Sequence, residues 1–150
     1  MMTRFFEDYP VGLSDKFGPI DIEQDEMIAF AKQWDPQPFH IDADAARSSI
    51  YGDIIASGWY TCAIAMRELV NHFLSPASSL GSPGLDTLRW LAPVHAGDRL
   101  WLRCEVIEAR ASRSKPDRGI LKTRIELLPD GGDPVLSMVA GNFVLRRGRH

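Results

Sequence analysis

The sequence predicts an α+β fold in which a mostly antiparallel sheet packs against one long helix. Residues 59–73 keep apolar side chains at helical spacing for about four turns. After Pro83 the hydrophobic period changes to two, which is typical of strands joined by short turns. A helix and a sheet that are each apolar on one side bury those sides against each other, as in α+β proteins.

The composition suits one globular domain covering residues 1–150. The chain is 45% hydrophobic and 25% charged, and 150 residues suffice to bury a core without disulfide or metal support. A net charge of -3 gives no electrostatic reason to expect nucleic acid or a membrane as partner. No apolar stretch resembles a signal peptide or a membrane span, so a cytoplasmic protein is expected. Cys62 and Cys104 stand in apolar contexts, which predicts small core residues and no metal site.

The first half of the chain is expected to form a strand and then a helix. The strand lies near residues 15–20, and Asp21 with Gln24 three residues later resembles a capping box. Pro36 and Pro38 must end the helix, because proline removes an amide donor and fixes φ. The apolar face of this helix consists of Met27, Phe30, Ala31 and Trp34.

The remaining elements follow from local capping and periodicity. A short helical turn is expected over residues 42–48 with Asp42 as its N-cap, and residues 49–56 are expected to be irregular. Ser57 and Gly58 precede the long helix, where serine is a good cap and glycine leaves the backbone open to a ligand. Four strands are expected within residues 84–93, 100–107, 119–128 and 134–147.

The stretch WDPQPFHID, residues 34–42, places a carboxylate and an imidazole on one short connection. Asp35 precedes His40 by five residues, and the two prolines between them indicate a stiff, extended segment. Held at a fixed distance, such a pair can bind one water and deprotonate it, which is general acid–base catalysis. The alternative is a loop in which Asp35 is a cap and His40 bonds to the backbone.

Residues 30–61 resemble the MaoC-like dehydratase family, which includes the (R)-specific enoyl-CoA hydratases. FAKQWDPQPFHIDADAA and IIASGWYT fill the family's motif of an aromatic-Ala start, Asp-x-Asn-Pro-x-His, an acidic residue and a His-Gly pair. GLDTLRWLAPVHAGDRLWLRCEVIEAR resembles the family's two strands joined by an x-GD turn, so the resemblance covers nearly the whole chain. Gln37 replaces the motif's Asn, Ser57 replaces its His, and Met66 stands where some family hydratases carry a serine.

The resemblance implies a hot-dog fold, in which a curved, mostly antiparallel sheet wraps around a long central helix. It also implies addition or removal of water across the C2–C3 bond of an acyl-CoA thioester, with (R)-3-hydroxyacyl-CoA as the hydrated form. Asp35 and His40 would be catalytic. The backbone N–H of Gly58, at the start of the long helix, is the candidate donor to the oxyanion, and a glycine needed only for tight packing or a turn is the alternative. No metal or separate cofactor is expected, since CoA enters with the substrate. A homodimer whose sheets pair edge to edge is expected, because proteins tend to cover open edges.

Further candidates and alternative functions remain open. Ser57, Trp59 and Tyr60 are candidates for substrate contacts, and for the CoA phosphates the candidates are Arg89, Arg113, Lys115 and Arg118. The last three belong to the basic segment 109–119, for which a solvated hairpin tip is the alternative. His72, His95 and His150 lack a carboxylate at suggestive spacing and are expected at the surface. The alternative functions are a hot-dog thioesterase and a non-catalytic acyl-CoA-binding subunit.

Overall fold

A computed structural model describes residues 3–148, which form one five-stranded antiparallel sheet, four α-helices and a short 3-10 helix (Phe6–Asp8). The strands are β1 (Ser14–Asp21), β2 (Leu85–Trp90), β3 (Arg99–Ala111), β4 (Arg118–Pro129) and β5 (Leu136–Leu145). Their order across the sheet is β1-β3-β4-β5-β2, so β1 and β2 are the edges. The helices are α1 (Gln24–Trp34), α2 (Pro38–Ile41), α3 (Ala43–Arg47) and α4 (Gly58–His72).

One face of the sheet packs against α4, which confirms the α+β prediction and the hot-dog architecture. Leu102 and Cys104 of β3 and Leu121 of β4 are fully buried in the same apolar cluster as Ile64 and Leu69 of α4. Because side chains alternate along a strand, the opposite face carries the polar residues of β3 and β4. Ion pairs join these two strands on that face, namely Arg124 with Glu105 at 2.6 Å and Arg103 with Glu126 at 3.0 Å.

Two of the predicted helix caps are confirmed. The carboxylate of Asp42 accepts hydrogen bonds from the backbone N–H groups of Asp44 and Ala45, at 2.9 and 3.2 Å. The hydroxyl of Ser57 accepts one from the N–H of Trp59 at 3.2 Å, which caps α4. Both caps satisfy amides that have no partner within their helices.

Two local predictions are wrong. Helix α1 is preceded by Glu23 without a side-chain cap, because β1 continues through Asp21, whose carboxylate pairs instead with Arg99 at 2.9 Å. The segment between Asp35 and His40 is not extended throughout, since α2 begins at Pro38. Proline is tolerated there because the first residue of a helix has no intrahelical use for its N–H.

Three details of the surface differ from or fall outside the predictions. His72 is exposed as expected but does have a carboxylate partner, because Glu68 lies one helical turn earlier and 3.1 Å away. Cys104 is buried, whereas Cys62 is only half-buried. His95 is half-buried, and His150 lies outside the described residues. Within residues 3–148, every helix is too short or too polar to cross a membrane.

Candidate active site

A cavity of about 430 Å³ lies where the end of α1, helix α2, the start of α4 and the end of β2 meet. Proline residues follow α1 and begin α2, so the chain turns sharply and brings Asp35, the C-cap of α1, and His40 of α2 to the same space. The side chains and backbone that line this cavity include Asp35, Phe39, His40, Tyr51, Gly58, Trp59 and Trp90.

His40 is held in one orientation by the backbone. Its side chain lies in α2, is only 5% exposed, and packs against the edge of Phe39. Nδ1 lies 2.8 Å from the carbonyl oxygen of Ile55. A carbonyl can only accept, so Nδ1 carries a hydrogen and donates it, which assigns the tautomer. In the neutral ring Nε2 therefore keeps its lone pair, and it lies 3.4 Å from Oδ2 of Asp35.

The carboxylate of Asp35 has a hydrogen-bond donor on each oxygen. Nε2 of Gln37 donates to Oδ1 at 2.8 Å, and the hydroxyl of Ser57 donates to Oδ2 at 2.7 Å. Burial raises the pKa of Asp35, but the bonds from Gln37 and Ser57, with the charge that His40 carries when it is protonated, outweigh that effect, so the pKa lies below its ordinary value. Asp35 is therefore a carboxylate at neutral pH.

Asp35 and His40 together are suited to bind a hydrogen-bond donor between Oδ2 of the carboxylate and Nε2 of the imidazole. A carboxylate oxygen only accepts, and so does Nε2 of a neutral imidazole whose proton is on Nδ1. Both atoms belong to residues that line the cavity. A water that donates one hydrogen to Asp35 and the other to His40 satisfies both and leaves its own lone pairs free to attack a substrate.

Gly58 is constrained by close packing as well as by its place at the start of α4. A Cβ on this residue would lie 2.6 Å from the indole of Trp90, whose Nε1 donates to the carbonyl oxygen of Gly58 at 2.8 Å. Among the described residues, none accepts a hydrogen bond from the Gly58 N–H. This amide lies at the positive end of the helix dipole and borders the cavity, which is the geometry of an anion donor.

The structure brings together only part of the predicted substrate-contact set. Trp59 lines the cavity with Asp35, His40 and Gly58, whereas Ser57 is fully buried behind it and bonds to Asp35. Tyr60 does not line this cavity. It packs against Phe30 with ring centroids 5.6 Å apart and borders a different cavity between α1 and α4.

The basic candidates lie away from the cavity within one chain. Trp90 faces Gly58 of α4, so Arg89 beside it points to the opposite face of the sheet. Arg113 and Lys115 are in the hairpin between β3 and β4, and Arg118 is paired with Asp117 at 2.8 Å. Arg118 is opposite Leu145, nine residues along β5 from the partner of Trp90, a separation of roughly 30 Å.

Three groups that shape the site were not predicted from the sequence. Gln37 stood out as a departure from the family motif, but not as a donor to Asp35. Trp90 was not singled out, although its position two residues after the apolar Leu88 places it on the helix-facing side of β2. The carbonyl of Ile55 is a backbone group, so a pattern of side chains cannot predict its role. In the described part of the chain no cluster of three or more His, Cys, Asp or Glu residues is arranged to hold a metal.

This chain is similar to known proteins in both sequence and structure. The family described as "MaoC like domain" matches residues 10–126. A 3-hydroxybutyryl-CoA dehydratase from Methylorubrum extorquens is 30% identical over 116 residues, covering 77% of this chain and 71% of that protein. The crystal structure of a MaoC-like dehydratase from Rhodospirillum rubrum is 36% identical with a TM-score of 0.89, covering 97% of this chain and 99% of that one.

A solved R-hydratase from Pseudomonas aeruginosa in the unliganded form is 25% identical, with a TM-score of 0.73, and covers 95% of this chain and 86% of that one. The match of the family to residues 10–126 includes all of the catalytic candidates and the whole of α4. The chain is a member of the MaoC-like domain family.

Proposed function

We propose that this protein is an (R)-specific enoyl-CoA hydratase, or 3-hydroxyacyl-CoA dehydratase in the reverse direction. The observation that carries the proposal is the Asp35–His40 pair. Its two acceptors are 3.4 Å apart, and both are oriented by further hydrogen bonds. Membership of a family with dehydratase and R-hydratase relatives supports the same reaction.

The proposed reaction adds one water across the C2–C3 double bond. The water oxygen forms a bond to C3 while one of its protons passes to the Asp35–His40 pair. The electrons of the double bond move toward the thioester oxygen, and the pair then returns a proton to C2. Since one pair on one side of the substrate handles both steps, water adds to a single face. General acid–base help of this kind contributes about 10²–10⁴-fold to the rate.

The Gly58 amide is the proposed donor to the thioester oxygen. Negative charge builds up on that oxygen as C3 is attacked, and the amide at the start of α4 lies in the same cavity as Asp35 and His40. A donor that is already in place costs no reorganisation during the reaction, and removing one such donor costs roughly 2.7–4 kcal/mol in other enzymes.

The acting unit is proposed to be a homodimer formed through the β2 edge. The β1 edge is interrupted by a register shift between Phe17 and Ile20, which includes a proline that cannot donate. In the described part of the chain no strand lies beyond β2. Large apolar side chains are exposed along β2 and the adjacent face of α4, namely Trp59, Met66, Val70, Leu85, Trp90 and Leu91. A second copy covers this surface and continues the sheet.

Such a dimer also accounts for the basic hairpin at residues 112–117. The Leu85 end of β2 points toward the hairpin, and the Trp90 end points toward the cavity. If two β2 strands pair antiparallel, the hairpin end of the partner's sheet lies toward this cavity. Arg113 and Lys115 of a second copy are then closer to the bound thioester than those of the same chain, in a position to bind CoA phosphates.

The test is a panel of trans-2-enoyl-CoA and 3-hydroxyacyl-CoA thioesters, followed by the absorbance of the conjugated enoyl group. We expect hydration to yield the (R)-3-hydroxyacyl product and Asp35→Asn to reduce turnover by at least about 10²-fold. Asp42→Asn is the matched control, because Asp42 caps α3 and does not line the cavity. Its turnover should stay near that of the wild type.

Either of two outcomes would contradict the proposed function and favour another one. Release of free CoA from acyl-CoA, measured with a thiol reagent, would identify a thioesterase. Binding of the thioesters across the whole panel without any turnover would identify a non-catalytic acyl-CoA-binding subunit.

A further inference from the structure

We propose that Ser57 is a positioning residue that ties the carboxylate of Asp35 to the first turn of α4. It thereby sets the distance between the water-binding pair and the Gly58 amide. The inference rests on the proposed function for its catalytic meaning. Ser57 was expected to contact the substrate, but its side chain is 0% exposed and both of its hydrogen bonds are internal.

The direction of both hydrogen bonds is fixed by chemistry. The N–H of Trp59 can only donate, so the Ser57 hydroxyl accepts there at 3.2 Å. The ionised carboxylate of Asp35 can only accept, so the same hydroxyl donates to Oδ2 at 2.7 Å. The single hydroxyl hydrogen is therefore committed to Asp35, and the bond to a charged acceptor is the stronger type.

The bonded oxygen is the one that faces His40. Oδ2 of Asp35 lies 3.4 Å from Nε2 of His40, and Oδ1 is occupied by Gln37. Ser57 thus controls the oxygen that would hold the water, while Gln37 holds the other. Ser57 is also the residue immediately before Gly58. It therefore constrains both the carboxylate of Asp35 and the backbone amide of Gly58.

Loss of the hydroxyl should raise the pKa of Asp35. His40 is the titratable side chain whose charge acts on Asp35, and Tyr51 is the other titratable side chain of the described residues that line the cavity. A substitution of Ser57 leaves both of these side chains, His40 and Tyr51, in place. The pKa of Asp35 should therefore move up by about one unit in the Ser57 variants. We expect kcat to fall roughly tenfold with KM nearly unchanged, since the substrate does not touch Ser57.

The experiment compares Ser57→Ala and Ser57→Gly with Asp42→Ala. Both Ser57 variants remove the hydroxyl, but glycine is tolerated as an N-cap, so Ser57→Gly separates loss of the Asp35 bond from loss of the cap. Asp42→Ala removes a cap from another helix and should leave the Asp35 pKa unchanged. The pKa of Asp35 is measured in each protein by ¹³C NMR of its carboxyl carbon, with Asp35→Asn to assign the signal.

The NMR titration separates this inference from the proposed function. Wild-type protein without hydratase activity would overturn the proposed function, yet an upward shift of the Asp35 pKa in Ser57→Gly would still support the positioning role. An Asp35 pKa in Ser57→Gly that matches the wild type would overturn the inference, even if the enzyme is an active hydratase.

Discussion

Asp35 and His40 bind one water together in the proposed mechanism, so removing either side chain should remove most of the rate acceleration that the pair provides. We expect Asp35→Asn and His40→Ala each to lower kcat by at least about 10²-fold, and the double variant to be little slower than the slower single variant. Independent roles would instead multiply the two losses. Turnover of an enoyl-CoA substrate by the three purified variants measures this directly.

The melting temperatures of the same preparations provide the control. If Asp35 only ends α1 and His40 only bonds to the carbonyl of Ile55, the variants should lose roughly 0.5–2 kcal/mol of stability while each folded molecule keeps its turnover. Near-wild-type turnover in Asp35→Asn would rule out the proposed mechanism.

The catalytic candidates could be predicted from the sequence, but the groups that orient them could not. Asp35 and His40 carry distinctive chemistry at short spacing, and a motif is visible wherever such side chains occur. The carbonyl of Ile55, which fixes the tautomer of His40, belongs to the backbone and arrives from a segment predicted only as irregular. Ser57 could be predicted as a cap from local sequence, whereas its bond to Asp35 spans 22 residues and depends on the tertiary fold.

At the level of elements, the spacing of hydrophobic residues predicted the long helices and the strands correctly, but it misplaced the start of α1 and missed the one-turn helix α2. Strand β1 runs on to Asp21 because pairing with Arg99 of β3 outweighs a local capping preference. Helix α2 forms despite its proline because Pro38 occupies the first position, where proline has little cost. Both misses concern residues whose local preferences allow two structures, so that tertiary contacts decide between them.

The start of α4 also permits a test of why residue 58 is glycine. Gly58→Ala should destabilise the protein by about 1–3 kcal/mol, because the new methyl group would overlap the indole of Trp90. In a Trp90→Ala background that overlap is gone, so the same change should cost much less. Chemical denaturation of the wild type, both single variants and the double variant gives the coupling energy.

Activity in the same four proteins distinguishes packing from catalysis. Alanine keeps its backbone N–H, so Gly58→Ala in the Trp90→Ala background should retain the turnover of Trp90→Ala alone if only the packing with Trp90 matters. A further loss in that background would mean that the thioester needs the space beside the amide. An equal stability cost of Gly58→Ala in both backgrounds would contradict the packing explanation.

For the whole molecule, the two sheet edges differ in a way that predicts how copies associate. The apolar surface along β2 and α4 includes Met66, which is 49% exposed, whereas Ile50 is 94% exposed in a loop outside that surface. A carboxylate buried in an apolar interface without a partner is costly, so Met66→Glu should raise the dimer dissociation constant more than about tenfold. Ile50→Glu introduces the same charge and should leave the dimer intact. Light scattering over a concentration series measures both variants, and a monodisperse wild-type monomer at micromolar concentration would exclude the dimer.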